Sequence, residues 1–453
     1  MNTIGKKKIS LFSAIMFGIA LLLPIAPVPV YAQIQPLTQG HMALSYFAAA
    51  IPMTMVAFAF GRLGSEFPRA GSSYTFVSES IHPTLGTLTG WAILMDYGLF
   101  PLLNYVCLGI YVCALFPGLN MTAVILVSIV VIGFINLMGI KSIATVGNIL
   151  TIFGCFVAIY FIVKGIGAFS DPTSGIEFSL VGLYNPETFS WQLLLTGASI
   201  ACFSFLGFDA ITTLAEDLKN PRRNLPLSMI LVCVIMCADF VILSWMAQCA
   251  YPSFEYTNPD AGFLDAAVVV GGQLMYDLIS IAFIAGAFAY SLDMMAGVCR
   301  LLYGMGRDNV LPKKFFGHVD KKGTPVYNVI LVTVFCLCFS WMELGDLMPM
   351  INFGGLSAFT LVCVGCVKHF FFDKKERNTF GQVLKSLILP GLGAITCFVL
   401  WISLPAKAKI VGFSWLAVGL IYIAIKTKGF KQKLVLHGDM EETPEVEAEK
   451  AEA

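Results

Sequence analysis

Four aspartates lie inside long apolar stretches of this sequence, and their positions raise the first chemical question. They are Asp96, Asp209, Asp239 and Asp293. At the centre of a bilayer an aspartate costs about 2.5 to 3.5 kcal/mol, so such residues usually pair with a cation, carry a proton or anchor another helix. We expect Asp239 to meet a neighbouring helix. The other three are candidates for binding a cation or a proton inside a membrane.

The composition supports a membrane location for these carboxylates. The chain has 453 residues, of which 57% are hydrophobic and 12% charged, with a mean hydropathy of +0.81. Soluble domains average about 25% charged residues. Apolar runs of about 20 residues predict an all-α membrane protein with twelve transmembrane helices. The predicted spans are 10–32, 42–62, 86–116, 121–140, 145–165, 191–215, 227–250, 273–303, 326–343, 347–371, 383–402 and 408–426.

The placement of basic residues predicts the orientation. If the N-terminus is cytoplasmic, only Lys164, Lys407 and Lys409 lie beside outward-facing loops, whereas the other Lys and Arg residues lie beside inward-facing ones. The positive-inside rule therefore places both termini in the cytoplasm of a multi-pass inner (plasma) membrane protein. Residues 1–9 form the predicted cytoplasmic N-terminus. The tail 427–453 is predicted to be disordered, because from His437 onward it is acidic and almost without large apolar groups.

Two spans contain helix breakers at mid-membrane depth. The first reads "PIAPVP" at 24–29, and the sixth reads "SFLGFDA" at 204–210. Irregular backbone at this depth persists only where protein or a water-filled cavity satisfies its polar groups. The spacing of five spans predicts a 5+5 inverted repeat, 10–165 and 191–371, with helices 1 and 6 discontinuous and two extra helices at 383–426.

The first stretch has a second interpretation. Three lysines, an apolar run and "LLLPIAPVPVYAQ" also resemble a secretory signal peptide with its cleavage site. Cleavage would remove the partner of the sixth span and leave eleven helices. We therefore expect no cleaved signal peptide.

The residues of the sixth span carry a family resemblance. The segment "FSFLGFDAITTLAEDLKNPRRNLP" (203–226), with "FPRAGSSYTFV" (67–77) and "RLLYGMGRDNVLP" (300–312), resembles the amino acid, polyamine and organocation (APC) transporter superfamily. "INFGGLSAFTLVCVGCVKH" (351–369) is most similar to the branch of bacterial putrescine importers. The resemblance implies a LeuT-like fold and transport by alternating access around a central site.

The first break is the main clue to the substrate. In amino acid carriers of this superfamily, backbone N–H groups of a glycine-rich break bind the substrate carboxylate. Here the corresponding residues are Ala26, Pro27 and Val28. Proline has no N–H, so this backbone is poorly suited to a carboxylate. The sequence favours putrescine or a related polyamine or amine, and the alternative is a proton- or sodium-coupled amino acid symporter of the same fold.

Other candidate substrate residues follow from the resemblance and from their types. An ammonium that leaves water needs a carboxylate or an aromatic face. The candidates are Asp96, Tyr97, Phe203, Phe205, Asp209, Tyr290 and Asp293. Phe203 corresponds to a gating aromatic residue in relatives. Core packing, helix capping and helix-helix anchoring are the structural alternatives for these residues.

The coupling ion is predicted to be a proton. Some proton-driven relatives carry a lysine in helix five, where Gly154 stands here, so Asp209 and Asp293 are the expected carriers. A sodium site using Ser291 remains an alternative. No nucleophile motif or His and Cys spacing typical of an enzyme or a metal site occurs, and we expect no enzyme activity, no cofactor and no nucleic-acid partner. Oligomeric state is not indicated.

Overall fold

The computed structural model describes residues 9–67, 73–138, 143–215, 217–307, 309–320 and 323–428. Over these residues the protein is helical and contains no β-strand. The α-helices are α1 (Leu11–Leu22), α2 (Pro27–Ile34), α3 (Met42–Glu66), α4 (Ser73–Ser80), α5 (Pro83–Leu115), α6 (Met121–Leu137), α7 (Ile143–Ala168), α8 (Trp191–Ala201), α9 (Pro221–Ala250), α10 (Phe263–Arg307), α11 (Lys313–Phe316), α12 (Val326–Cys338), α13 (Leu344–Val367), α14 (Phe380–Val383), α15 (Leu389–Ser403) and α16 (Ala406–Lys426).

Nine helical segments in the described part of the chain are long and apolar enough to cross a membrane. They are Met42–Glu66, Pro83–Leu115, Ile149–Ala168, Trp191–Leu214, Pro221–Ala250, Phe263–Arg307, Leu344–Asp373, Phe380–Ser403 and Ala406–Lys426. The pair α1 and α2 makes a tenth if it is one bent span. Two shorter apolar helices, α6 and α12, lie where the sequence predicts the fourth and ninth spans. The protein is a multi-pass membrane protein, and the count of twelve stays a prediction.

The sequence predicts a cytoplasmic N-terminus at one end of the chain and a disordered tail at the other. Residues 1–8 of the predicted N-terminus and residues 429–453 of the predicted tail lie outside the described part. The described chain begins at Ile9, which pairs through its backbone with the segment before α9. Its N–H donates to the carbonyl of Asp217 at 2.8 Å, and its carbonyl accepts from Lys219 at 3.0 Å.

The first span is interrupted between α1 and α2. The helix axes differ by 46° across this break. Leu23 has φ of +53°, outside the helical range, and it precedes Pro24, whose ring disfavours a helical residue before it. The chain becomes helical again at Pro27, and proline suits the first position of a helix because the missing N–H has no partner there.

A second interruption follows α8. Residues Cys202–Phe205 tighten into a 3-10 turn, Leu206 is extended, and a further 3-10 segment runs over Phe208–Leu214. Gly207 between them has φ of +112°, a conformation that glycine adopts without a steric penalty. A Cβ at Gly207 would lie 3.5 Å from the carbonyl oxygen of Leu21. The two interruptions therefore lie against each other.

The longest helices surround these interruptions. α3 packs along α9, while α5 packs against both α10 and α13. The backbones of α3 and α9 approach closely at one point, since a Cβ on Gly61 would overlap the Cα of Pro226. α10 is kinked near one end, where Gly271 and Gly272 leave the helical conformation.

Candidate binding site

A narrow cavity lies between the two interruptions. Its volume is about 40 Å³, so it is small compared with open small-molecule sites. Its walls come from the end of α1, the start of α2, α5, the segment after α8, and α10. The lining residues are Leu21, Leu22, Leu23, Ala26, Pro29, Phe100, Leu103, Asn104, Cys107, Phe203, Ser204, Leu206, Phe283 and Tyr290.

Three aromatic rings form one wall of this cavity. The rings of Phe100 and Phe203 stack with centroids 5.1 Å apart. The ring of Tyr290 meets Phe100 edge-on at 5.5 Å. Aromatic faces attract cations, and this attraction is strongest where water is excluded. The wall can therefore bind an ammonium group although its three rings carry no formal charge.

Few polar groups face the cavity. Ser204 is buried, and its hydroxyl lies 2.8 Å from the hydroxyl of Tyr46 on α3. The side-chain amide of Asn104 donates to the carbonyl of Phe100 in its own helix at 2.9 Å. Most of the remaining lining is aliphatic. The cavity therefore suits a ligand with a hydrocarbon portion and few polar atoms.

The backbone at the start of α2 offers the cavity almost no hydrogen-bond donors. Pro27 and Pro29 have no N–H. The N–H of Ala26 donates to Leu23 at 2.8 Å, and the N–H of Val28 donates to Ile25 at 3.1 Å. Each of the four residues 26–29 therefore lacks a free N–H. Of the three residues predicted here, Ala26 lines the cavity, whereas Pro27 and Val28 are buried beside it and Pro29 contributes instead.

Asp209 lies in the first turn of the second 3-10 segment. The backbone N–H groups of Gly207, Asp209 and Ala210 interact with its carboxylate, and the N–H of Ala210 also donates to the carbonyl of Gly207 at 3.1 Å. Asp209 is not among the residues that line the cavity. The negative charge that a helix N-terminus attracts is thus supplied by the protein itself.

Asp96 and Tyr97 lie one layer beyond the cavity wall. Asp96 is buried against α13, where a Cβ on Gly355 would lie 3.4 Å from its Oδ2 and 3.0 Å from the side chain of Leu206. Leu206 is the residue that faces the cavity. Tyr97 interacts electrostatically with Asp96, Asp209 and Tyr290. These groups form one polar cluster adjoining the aromatic wall.

Of the other four residues predicted to bind substrate, some line the cavity and others do not. Phe203 and Tyr290 line the cavity. Phe205 packs on the other side of its segment, against Phe240 at 5.3 Å. Asp293 is exposed and interacts with Arg300, which lies two helical turns further along α10. The structure therefore brings two of these four to the cavity.

Sequence reasoning did not select Phe100. It lies four residues after Asp96, which places both on one face of α5. That spacing was the available signal, but the chain contains 37 phenylalanines and the pattern does not distinguish one that lines a cavity from one that packs in the core.

Comparison with known proteins decides the family. Residues 12–424 match the amino acid permease family. This chain belongs to the amino acid permease family. The permease is 32% identical to the low-affinity putrescine importer PlaP of Escherichia coli K12, over 96% of this chain and 97% of that protein. It is a transporter of the APC superfamily rather than an enzyme.

Other relatives of the permease carry different names. It is 28% identical to the vacuolar cationic amino acid transporter 4 of Arabidopsis thaliana, over 80% of this chain and 62% of that protein. It is 24% identical to the branched-chain amino acid permease BcaP of Bacillus subtilis, over 84% of each chain. The family therefore includes proteins named for amines and for amino acids, and the choice between them depends on the cavity.

Proposed function

We propose that this permease is a secondary active importer of putrescine or a related amine, coupled to protons. The observation that carries the proposal is the backbone at residues 26–29, which has no free N–H for a substrate carboxylate. Similarity to the putrescine importer of Escherichia coli supports the same choice.

The second interruption supports an amine for a related reason. A substrate carboxylate placed there would meet the carboxylate of Asp209, which already interacts with the backbone N–H groups at the start of the second 3-10 segment. Two like charges in a low-dielectric site repel strongly. A diamine avoids this repulsion and gains an attraction instead.

The proposed recognition has two parts. The hydrocarbon portion of the amine lies against the aliphatic lining, and one ammonium meets the aromatic wall of Phe100, Phe203 and Tyr290. The electrostatic cluster that includes Asp96 and Asp209 then compensates the positive charge from beyond the wall. An ammonium taken from water requires such a partner.

Transport is proposed to follow the scheme that the sequence predicts. Twelve spans in two inverted repeats, 10–165 and 191–371, rock around the interrupted helices, with 383–426 outside the repeats. Both termini are cytoplasmic and the membrane is the inner (plasma) membrane. The proximity of Leu21 and Gly207, one from each interruption, supports a mechanism in which the two breaks move together.

The decisive experiment compares putrescine with ornithine, because ornithine is putrescine with one added carboxylate. The purified permease is reconstituted into proteoliposomes, and uptake of labelled putrescine is measured with an imposed pH gradient. We expect putrescine to accumulate and ornithine to compete weakly. Protein-free liposomes are the control for passive entry of amine.

Two results would contradict the proposal. Strong competition by ornithine, arginine or branched-chain amino acids, without competition by amines, would make the permease an amino acid symporter. If accumulation requires a sodium gradient and does not depend on the pH gradient, the coupling ion is sodium and not the proton.

A further inference from the structure

A fourth carboxylate, Asp239, lies away from the polar cluster beside the cavity. It is near the middle of α9, and its Oδ2 is buried without a hydrogen-bond partner among the described residues. No cation in the described part of the chain forms an ion pair with it. A carboxylate at such a depth is costly when charged and needs either a partner or a proton.

Two titratable groups on neighbouring helices face this carboxylate. They are Tyr46 of α3 and Cys155 of α7, both close enough to interact with it electrostatically. α1 contributes no ionisable side chain. Tyr31 of α2 is directed to Gln248 further along α9, and no group of α10 acts on Asp239. The surroundings therefore provide proton donors and acceptors but no fixed positive charge.

Tyr46 links this carboxylate to the cavity. Its hydroxyl lies 2.8 Å from the hydroxyl of Ser204, and Ser204 lines the cavity. Its ring packs on Phe240, the residue after Asp239, at 5.2 Å. A hydroxyl group can both donate and accept a hydrogen bond. When a substrate changes the hydrogen bond of Ser204 in the cavity, the hydroxyl of Tyr46 can therefore reorient toward α9.

The two carboxylates predicted to carry the coupling proton are less suited to the task. Asp209 lies in the first turn of the second 3-10 segment, where backbone N–H groups are available as partners for its carboxylate. Asp293 is exposed and lies near Arg300, a cation that interacts with it. Asp239 differs from both, because neither a cation nor a hydrogen bond to its Oδ2 holds it charged.

We propose that Asp239 is the proton-carrying carboxylate of this permease, linked to the substrate cavity through Tyr46 and Ser204. Asp239 binds one proton from the side where the substrate enters and becomes neutral. It releases the same proton on the other side and becomes charged again. The proposal rests on the proposed proton-coupled import, and it adds the group that senses the gradient.

The test separates coupling from transport in proteoliposomes. For wild type and Asp239→Asn, the pH-driven accumulation of putrescine is compared with counterflow, the exchange of labelled for unlabelled putrescine without a gradient. Asn resembles the protonated side chain in shape and lacks charge. We expect Asp239→Asn to keep counterflow and to lose accumulation, so that inside and outside concentrations become equal.

A second variant keeps the proposal testable if the first does not fold. Tyr46→Phe removes only the hydroxyl that contacts Ser204 and keeps the ring packed on Phe240. We expect slower pH-driven accumulation with normal counterflow. Asp277→Asn is the matched control, since this aspartate of α10 is bonded to Gln273 at 2.8 Å on the periphery of the protein and is expected to keep both activities.

The outcomes distinguish this proposal from the proposed function. If wild type accumulates putrescine with the pH gradient and Asp239→Asn accumulates it equally, the role of Asp239 is refuted while proton coupling stands. If folded Asp239→Asn loses counterflow and accumulation together, the residue is structural. If wild type itself ignores the pH gradient, the proposed coupling fails first.

Discussion

The ring of Phe100 stacks on the ring of Phe203, with their planes 23° from parallel. Phe100 belongs to the continuous helix α5, whereas Phe203 belongs to the turn after α8. The contact therefore joins an unbroken helix to an interrupted one at the wall of the cavity. A movement of the interruption relative to α5 changes the surface that a substrate meets.

Loss of the Phe203 ring is expected to weaken amine binding. In Phe203→Leu the half-saturating concentration of putrescine should rise about 3- to 30-fold, since a cation-ring contact contributes about 0.5 to 2 kcal/mol. Phe203→Tyr keeps the ring and should remain close to wild type. Initial rates of uptake over a range of putrescine concentrations provide the measurement. An unchanged half-saturating concentration of putrescine in Phe203→Leu would show that the aromatic wall does not bind the ammonium group.

A restored N–H at the first interruption is expected to admit carboxylates. Pro29→Ala adds a donor where Pro29 lines the cavity, whereas Pro27→Ala adds one outside the lining. A hydrogen bond to a charged group contributes about 1.5 to 3 kcal/mol, so ornithine should compete with putrescine about 10- to 100-fold better in Pro29→Ala. Pro27→Ala is the control. Equal effects of both variants would indicate a general change in helix geometry instead.

Neutralising Asp96 is expected to reduce uptake. The side chain is buried and belongs to the cluster with Tyr97 and Asp209, so Asp96→Asn removes negative charge that compensates the ammonium. We expect at least a 10-fold loss of putrescine uptake, about 1.4 kcal/mol, with normal amounts of protein in the membrane. Asp293→Asn should cause a smaller loss, because Asp293 is exposed beside Arg300. Unchanged uptake in both variants would refute this account of selectivity.

The contact between α5 and α13 is expected to tolerate no larger residue at Gly354. A Cβ there would lie 2.6 Å from the carbonyl oxygen of Ala92, which is backbone and cannot rotate away. Gly354→Ala should destabilise the protein by about 1 to 3 kcal/mol. Gly98→Ala on α5 is the control, since a Cβ there meets nothing within 4 Å. Thermal unfolding in detergent measures both, and an unchanged midpoint for Gly354→Ala would contradict the packing.

The loop between α9 and α10 is expected to make stability depend on pH. Burial and the nearby charge of Glu343 raise the pKa of Asp260, although a 3.2 Å hydrogen bond from Gln33 opposes them. A raised pKa in the folded state contributes stability that is present below the unfolded pKa, about 3.9, and is lost as pH rises through the folded pKa. Thermal midpoints between pH 4 and 7 should therefore fall less in Asp260→Asn than in wild type.

Asp171 provides the opposite case for comparison. Hydrogen bonds from the hydroxyl and N–H of Thr173 lower the pKa of this exposed carboxyl. Its contribution is present above the unfolded pKa and is lost as pH falls through the folded one. Asp171→Asn should not reduce the loss of stability between pH 4 and 7. The same response from both Asn variants would contradict the assignment to Asp260.

The sequence by itself determined the features that depend on composition and on neighbouring residues. The apolar content identified a membrane protein, because charged residues are too few for a soluble surface. The sequence also located the two helix interruptions, at Pro24 and at Gly207. This was possible because a proline ring, or a glycine with positive φ, changes the backbone only of its near neighbours. Motifs such as "GFDA" were sufficient to indicate the superfamily, and the family comparison agrees.

Only the tertiary structure decided which side chains share a space. Phe203 and Phe205 differ by two positions, yet one faces the cavity and the other packs against Phe240, because the 3-10 turn points them to different neighbours. Asp96 lies behind Leu206 because α13 approaches α5 through glycine. The rotation of each helix depends on packing against segments that are distant along the chain, and helical periodicity alone does not specify that rotation.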